Sequence, residues 1–562
     1  MAFPNQCQFK VAVLLILATA VVLCSMPADS LAQAANLLAF TFGGLVRGTV
    51  TSAGVREFLG IPFATPPVGN LRWRPPVPHA PWFQALDATH FANHCPQTAS
   101  PFGIASTTED CLFLNVFTPD LNADGIGELR PVMVWIHGGA LIDGESNDYD
   151  PTGFVKDGVI VVTINYRLGA LGFLAHPAFA AEKTDPEHDG DFAAGSAGDY
   201  GLMDQQLALR WVRDNIVFFG GDPRNVTIFG ESAGGLSVFS QLASPSSANL
   251  FQKAIIESGA YQQTTQTLAT AEAAGTAFAT AAGCSSQTAS CLRALPLSTL
   301  LANQNPAGYT PNIDGEFLPL SLGTALATGQ FHHVPIIQGS NHDEWRLFTA
   351  LDFDLTIGPI ANNETAYEAA LASLMGPGAP FVAAEYPLAS FQSADLAFAT
   401  AGTDVVFACP AYGADLSMSQ FVPLSTYEFN DENAPQDFLP PVTFPYGAAH
   451  ASELQYLFNL PITVPRPPLN AQQLQLSSST QHYWTNFAKS GTPNGGGQPT
   501  WQQFNPLEGN FQSLIPPSPV QETTFATNHK CAFWAALLAA QQPTAPSRWA
   551  LKELLTVPWV SE

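Results

Sequence analysis

A chain of 562 residues that is 46% hydrophobic can bury a large core, yet only 12% of its residues are charged, well under the roughly 25% usual in soluble proteins. Those charges are mostly acidic, a formal −26 at pH 7, which repels phosphate backbones and anionic lipid surfaces and excludes nucleic acid as a partner. No linker, internal repeat or low-complexity tract divides the chain, so it reads as one large domain although its length would allow about three or four.

Met1 to Lys10 carry one lysine and lead into an apolar run, Val11 to Leu23, followed by Pro27 and small residues. The run is short of the ~20 residues that span a bilayer, and Ala32-Gln33-Ala34 supplies an A-x-A cleavage pattern. A secretory signal peptide over 1–34 is therefore expected, with a secreted or periplasmic catalytic domain over 35–562 and no stable membrane insertion after cleavage. The alternative is an uncleaved anchor. Cleavage removes Cys7 and Cys24 and leaves Cys95, Cys111, Cys284, Cys291, Cys409 and Cys531. An even number in an exported chain favours disulfides over metal ligation, although six cysteines allow fifteen pairings. There is no CxxC or HExxH, and His332-His333 and the acidic run Asp185 to Asp191 read as solvated loops, so neither metal nor cofactor is expected.

From Gly43 to Ala64 alternating apolar residues break at Ser52-Ala53-Gly54, which predicts an N-terminal β-hairpin, and Pro62 to Pro81 then runs extended. Arg130 to His137 and Val159 to Tyr166 are continuous apolar runs of the kind found in buried parallel strands. Helical spacing from Asp204 to Phe219 precedes the run from Val226. Lys253 to Glu257, Val334 to Gln338 and Leu424 to Phe429 follow as strands between Ala-rich helical stretches. Such alternation predicts an α/β fold, a mostly parallel central sheet with helices on both faces, whose ligands bind at the carboxyl ends of the strands.

At one such end lies Gly230-Glu231-Ser232-Ala233-Gly234. A GxSxG turn between strand and helix exposes a serine hydroxyl at the positive end of a helix, and its glycines permit close backbone approach. Ser232 is the candidate nucleophile. Gly144-Glu145-Ser146 repeats three letters without the fifth glycine or the strand before it, and reads as an ordinary turn. A serine needs a base and the base an acid, in the order Ser, acid, His for an α/β-hydrolase. After the 334–338 strand, Asp343 and Glu344 are equivalent by pattern. His450, in a small-residue loop after the 424–429 strand, is the favoured base over His482, in a helical run, and His529, beside Cys531. His137-Gly138-Gly139-Ala140, at the end of an early strand, offers oxyanion donors.

At this point the sequence resembles the type-B carboxylesterase/cholinesterase family. The resemblance rests on Phe219 to Gly235, Glu109 to Pro119, Asn165-Tyr-Arg-Leu-Gly169 and Cys531-Ala-Phe-Trp534, and runs over nearly the whole mature chain. It implies Glu344 as the acid, His450 as the base, and the backbone N–H groups of Gly139, Ala140 and Ala233 as oxyanion donors. It also implies disulfides Cys95–Cys111, Cys284–Cys291 and Cys409–Cys531. Glu231, Ser258 and Asp404 match polar positions that the family places around its triad; the bland reading is ordinary buried hydrogen bonding. Ala140 and Trp345 depart from the family, which commonly has glycine at both positions.

The implied activity is hydrolysis of carboxylic esters through an acyl-enzyme, with a small-molecule ester as partner. A lipase of the same family acting on insoluble acylglycerols is the enzymatic alternative, and a non-catalytic adhesion or binding protein the alternative of another class. Residues 96–110 contain no tryptophan to serve as a cation–π platform, which argues against choline esters. Pro96, Pro101 and the turn-forming Ala99 to Gly103 also leave too little chain there for a helical lid, so an open site is expected.

Overall fold

The computed structural model describes residues 37–119, 128–182, 197–304 and 309–540. The expected signal peptide and the acidic run Asp185 to Asp191 lie outside them. An eleven-stranded sheet forms the centre. Its middle is seven parallel strands in the spatial order Phe511–Leu514, Leu424–Phe429, Ile336–Asn341, Lys253–Glu257, Gly221–Glu231, Arg130–Ile136 and Ile160–Ile164. Antiparallel strands close both edges: Val520–Glu522 on one side, Phe113–Pro119, Val55–Pro62 and Thr49–Val50 on the other. The last two form the hairpin expected around Ser52-Ala53-Gly54. A second hairpin, Leu38–Thr41 with Gly44–Arg47, joins a small separate sheet.

Continuous apolar runs become central strands because both faces of the sheet are covered. Val226 and Ile228 pack with Leu236, Val238 and Leu242 of helix Ala233–Ala243 and with Leu202, Leu209 and Val212 of helix Tyr200–Asn215. On the opposite face Phe229 packs with Phe154 and with Leu476, Tyr483 and Trp484 of helix Ala471–Ser490. A third core, built from Trp345, Phe348, Tyr367, Phe398 and Phe407, belongs to helices that rise over the carboxyl ends of the strands. The three disulfides pair as the resemblance implied. In the chain-entropy model, bridges closing loops like that between Cys409 and Cys531 contribute about 4–5 kcal/mol.

Some boundaries differ from the sequence reading: the helix read from Asp204 to Phe219 runs Tyr200–Asn215, and the strand read from Val226 starts at Gly221. The strand expected at Val334 to Gln338 runs from Ile336 to Asn341, because Ser340 and Asn341 pair with Glu428 and Phe429 of the neighbouring strand. Polar letters there concealed a strand buried along its whole length. The Trp345 departure is also explained: its indole lies on Gly402, where a Cβ would fall 2.2 Å from the ring, and packs on Phe348 at 4.7 Å between centroids.

Candidate active site

Five adjacent parallel strands, from Arg130–Ile136 across to Leu424–Phe429, send their carboxyl ends to one place. Strand Gly221–Glu231 passes to helix Ala233–Ala243 through Ser232, whose φ of 56° and ψ of −121° lie outside the common basins. The turn is held because the Ser232 N–H donates to the Glu257 carbonyl at 2.9 Å and its carbonyl accepts from the Leu236 N–H at 2.8 Å. A Cβ on Gly234 would stand 1.9 Å from the Ile136 carbonyl oxygen, and one on Gly230 2.6 Å from the same atom. Strand and helix can meet this closely only with glycine at both positions.

Glu344 is fully buried. Its Oε1 accepts from Ser258 Oγ at 2.5 Å and the Asn341 N–H at 2.8 Å, while Oε2 lies 2.5 Å from His450 Nδ1. Asp343 points elsewhere, to Arg346 at 2.8 Å and the Ala448 N–H at 3.0 Å. The two carboxylates that pattern left equivalent are thus separated by direction. Of the competing histidines, His529 is hydrogen-bonded on both nitrogens, to Asp404 at 2.5 Å and Glu428 at 2.7 Å, whereas His450 Nε2 makes no hydrogen bond to the nearby Glu231 oxygen. His482 is a half-buried residue of helix Ala471–Ser490, its Nδ1 bonded to the Ser478 carbonyl.

The three polar positions expected around the site divide. Ser258 donates to Glu344, and Glu231 Oε1 stands 3.2 Å from His450 Nε2. Asp404 touches neither; its carboxylate accepts from Tyr386 at 2.6 Å and pairs with His529. Several contributors carry no local sequence signal. Phe348 and Phe407 flank the His450 ring with centroids 5.0 and 4.9 Å away. Tyr261, three residues after Ser258, interacts with the Ser232 side chain and packs on Phe407.

The oxyanion loop leaves strand Arg130–Ile136. Gly139 has φ 92°, and Ala140 and Leu141 follow at 52° and 63°. Two consecutive side-chain-bearing residues in the left-handed region cost of order 1–3 kcal/mol each, so the surroundings must impose the path. The N–H groups of Ile142 and Asp143 close it by donating to the Gly139 carbonyl at 2.9 and 3.0 Å. A Cβ on Gly138 would stand 3.1 Å from Ser232 Cβ, which puts this loop beside the serine. Ala233 opens the helix on the other side, where first-turn N–H groups have no intrahelical acceptor. No group of three or more metal-ligating side chains able to hold an ion occurs among the described residues.

Electrostatics follow from burial. Desolvation opposes charge on His450, but the carboxylates of Glu231 and Glu344 and the bond from Glu344 outweigh it and raise the imidazole to about 9. Burial pushes Glu257 to about 8. Glu453, also buried, accepts from Asn341 and lies at about 7. A base must be neutral to take a proton, so an imidazole raised above 6.5 loses activity at a higher pH than an unperturbed one. The acid limb of kcat/KM should therefore lie above 7, higher than for an ordinary histidine near 6.5, and Glu231→Gln should move it down. A limb at 6–7 that Glu231→Gln leaves in place would contradict this electrostatic picture.

The sequence profile described as "Carboxylesterase family" matches residues 35–534. Para-nitrobenzyl esterase of Bacillus subtilis (strain 168) is 36% identical over 474 residues, covering 80% of this chain and 89% of that protein. Carboxylesterase 1D of Rattus norvegicus is 34% identical, covering 89% and 92%. Among solved structures, a thermophilic PNB esterase superposes with a TM-score of 0.74 at 32% identity, covering 89% of this chain and all of that one. The seven-stranded parallel centre and the serine turn at its carboxyl edge are thus an α/β-hydrolase fold, and the chain belongs to the carboxylesterase family as a carboxylic ester hydrolase.

Proposed function

We propose that the protein is exported and hydrolyses soluble, short- to medium-chain carboxylic esters with Ser232, Glu344 and His450 as its triad. Ser232 Oγ forms a bond to the acyl carbon while His450 takes its proton. The tetrahedral oxyanion is held by the N–H groups of Gly139, Ala140 and Ala233. Collapse breaks the bond to the alkoxy oxygen, and His450 returns the proton to the departing alcohol. Water repeats the sequence on the acyl-enzyme, releasing the carboxylic acid and free serine. The observation that carries this reading is the 2.5 Å contact from buried Glu344 to His450 Nδ1, which turns Nε2 toward Glu231, the residue next to Ser232 in the chain.

The substrate range is supported by the first disulfide loop. Residues 96–110 form no helix; Gln97 and Ser106 exchange backbone hydrogen bonds at 3.0 and 3.1 Å, and Phe102 packs on Phe438. A segment tied in this way does not act as an interfacial flap. Rates on p-nitrophenyl esters of rising chain length should peak among short and medium acyl groups. With tributyrin the rate should saturate hyperbolically and not rise at the solubility limit. A several-fold jump once droplets form would overturn the open-site reading and favour a lipase. N-terminal sequencing of exported protein should begin after Ala34.

A further inference from the structure

The oxyanion loop raises a question that the triad does not answer: what holds a path that its own residues disfavour. Gly139, Ala140 and Leu141 all have positive φ, and the turn they make closes at Asp143. The next residue, Gly144, is buried, so its backbone N–H and carbonyl cannot rely on solvent. Both are taken by one side chain. Gln97 Oε1 accepts from the Gly144 N–H at 2.8 Å, and Gln97 Nε2 donates to the Gly144 carbonyl at 3.1 Å. Gln97 is 1% exposed and two residues from Cys95, so the disulfide anchors the segment that presents it.

The fit leaves no slack. A Cβ on Gly103 would fall 2.3 Å from Gln97 Oε1, and one on Gly144 2.5 Å from His137 Nδ1. The amide is therefore wedged between the disulfide loop and the root of the oxyanion loop.

We propose that Gln97 is a positioning residue for catalysis: by holding both polar groups of Gly144 it sets the direction of the Gly139 and Ala140 N–H groups toward the developing oxyanion. This rests on the reading that those two N–H groups stabilise the transition state. The first disulfide loop then acts as a brace for the chemistry rather than a cover over it. An apolar side chain at 97 would leave a buried donor and acceptor unpaired, and the loop would relax away from its strained path.

The test is steady-state kinetics of Gln97→Leu and Gln97→Glu, normalised to active-site titre by burst measurement with a p-nitrophenyl ester. Gln97→Leu should lose about 10- to 100-fold in kcat, a fraction of what removing a whole oxyanion donor costs, with KM changed less than about threefold. An aryl trifluoromethyl ketone, which adds to the nucleophile to form an oxyanion, should weaken by the same factor, while binding of an unreactive amide analogue stays as in the wild type. In Gln97→Glu the neutral acid can make both contacts and the carboxylate only the accepting one. Its activity relative to the wild type should therefore rise as pH falls, which a purely structural defect would not produce. The proposal is overturned if titre-corrected kcat of Gln97→Leu stays within threefold of the wild type. It is equally overturned if the ketone and the amide weaken together. Ser232→Ala run alongside separates the cases: an active serine variant removes the underlying site, whereas an inert one beside an unaffected Gln97→Leu removes only the role of Gln97.

Discussion

Replacing Ser232 by alanine should lower kcat on p-nitrophenyl esters by on the order of 10⁵ to 10⁶, with thermal unfolding within a few degrees of the wild type. In the proposed mechanism the hydroxyl supplies the oxygen that bonds the acyl carbon, and no other group at the turn can replace it. What holds the turn is backbone, namely the N–H to Glu257 and the carbonyl from Leu236, together with the contacts that require Gly230 and Gly234. Alanine keeps all of these. Turnover within tenfold of the wild type would remove Ser232 as nucleophile and the proposed mechanism with it.

Second in size is the pair at the acid. Glu344→Gln should cost about 10⁴-fold in kcat, the scale seen when a triad carboxylate becomes an amide. An amide in that place can present its NH₂ to His450 Nδ1, which stabilises the wrong tautomer and gives no charge to balance an imidazolium. Asp343→Asn should cost less than about tenfold, since Asp343 holds the Ala448 N–H and Arg346 and so supports the histidine loop only indirectly. Measuring kcat for both variants decides between two neighbouring carboxylates, and the reverse ranking would reassign the acid.

Much of the site was legible locally. The run into Gly230-Glu231-Ser232-Ala233-Gly234 announces a strand, a crowded turn and a helix, because periodicity and glycine spacing are properties of neighbouring residues. The same holds for Arg130–Ile136, Lys253–Glu257 and Leu424–Phe429, whose bounds agree with their apolar runs to within a residue. The strand Ile336–Asn341 was harder to read, since a fully buried strand can end in polar residues when its partner supplies the bonds.

Read without the fold, the residues point to the α/β class, a candidate nucleophile, a favoured histidine and two equivalent acids, and the resemblance adds a preference for Glu344. Tertiary structure alone decided which way each side chain points. Asp343 and Glu344 are adjacent letters, yet one faces Arg346 and the other His450, because the short turn after Asn341 rotates them apart. His529, the less favoured base by position, is hydrogen-bonded to Asp404 and Glu428 on both nitrogens, a burial no local pattern announces. Phe407 beside His450, Tyr261 beside Ser232 and Gln97 beneath the oxyanion loop come from segments far apart in the chain. Their roles depend on close packing between distant elements, and no pattern within one stretch of sequence encodes that contact.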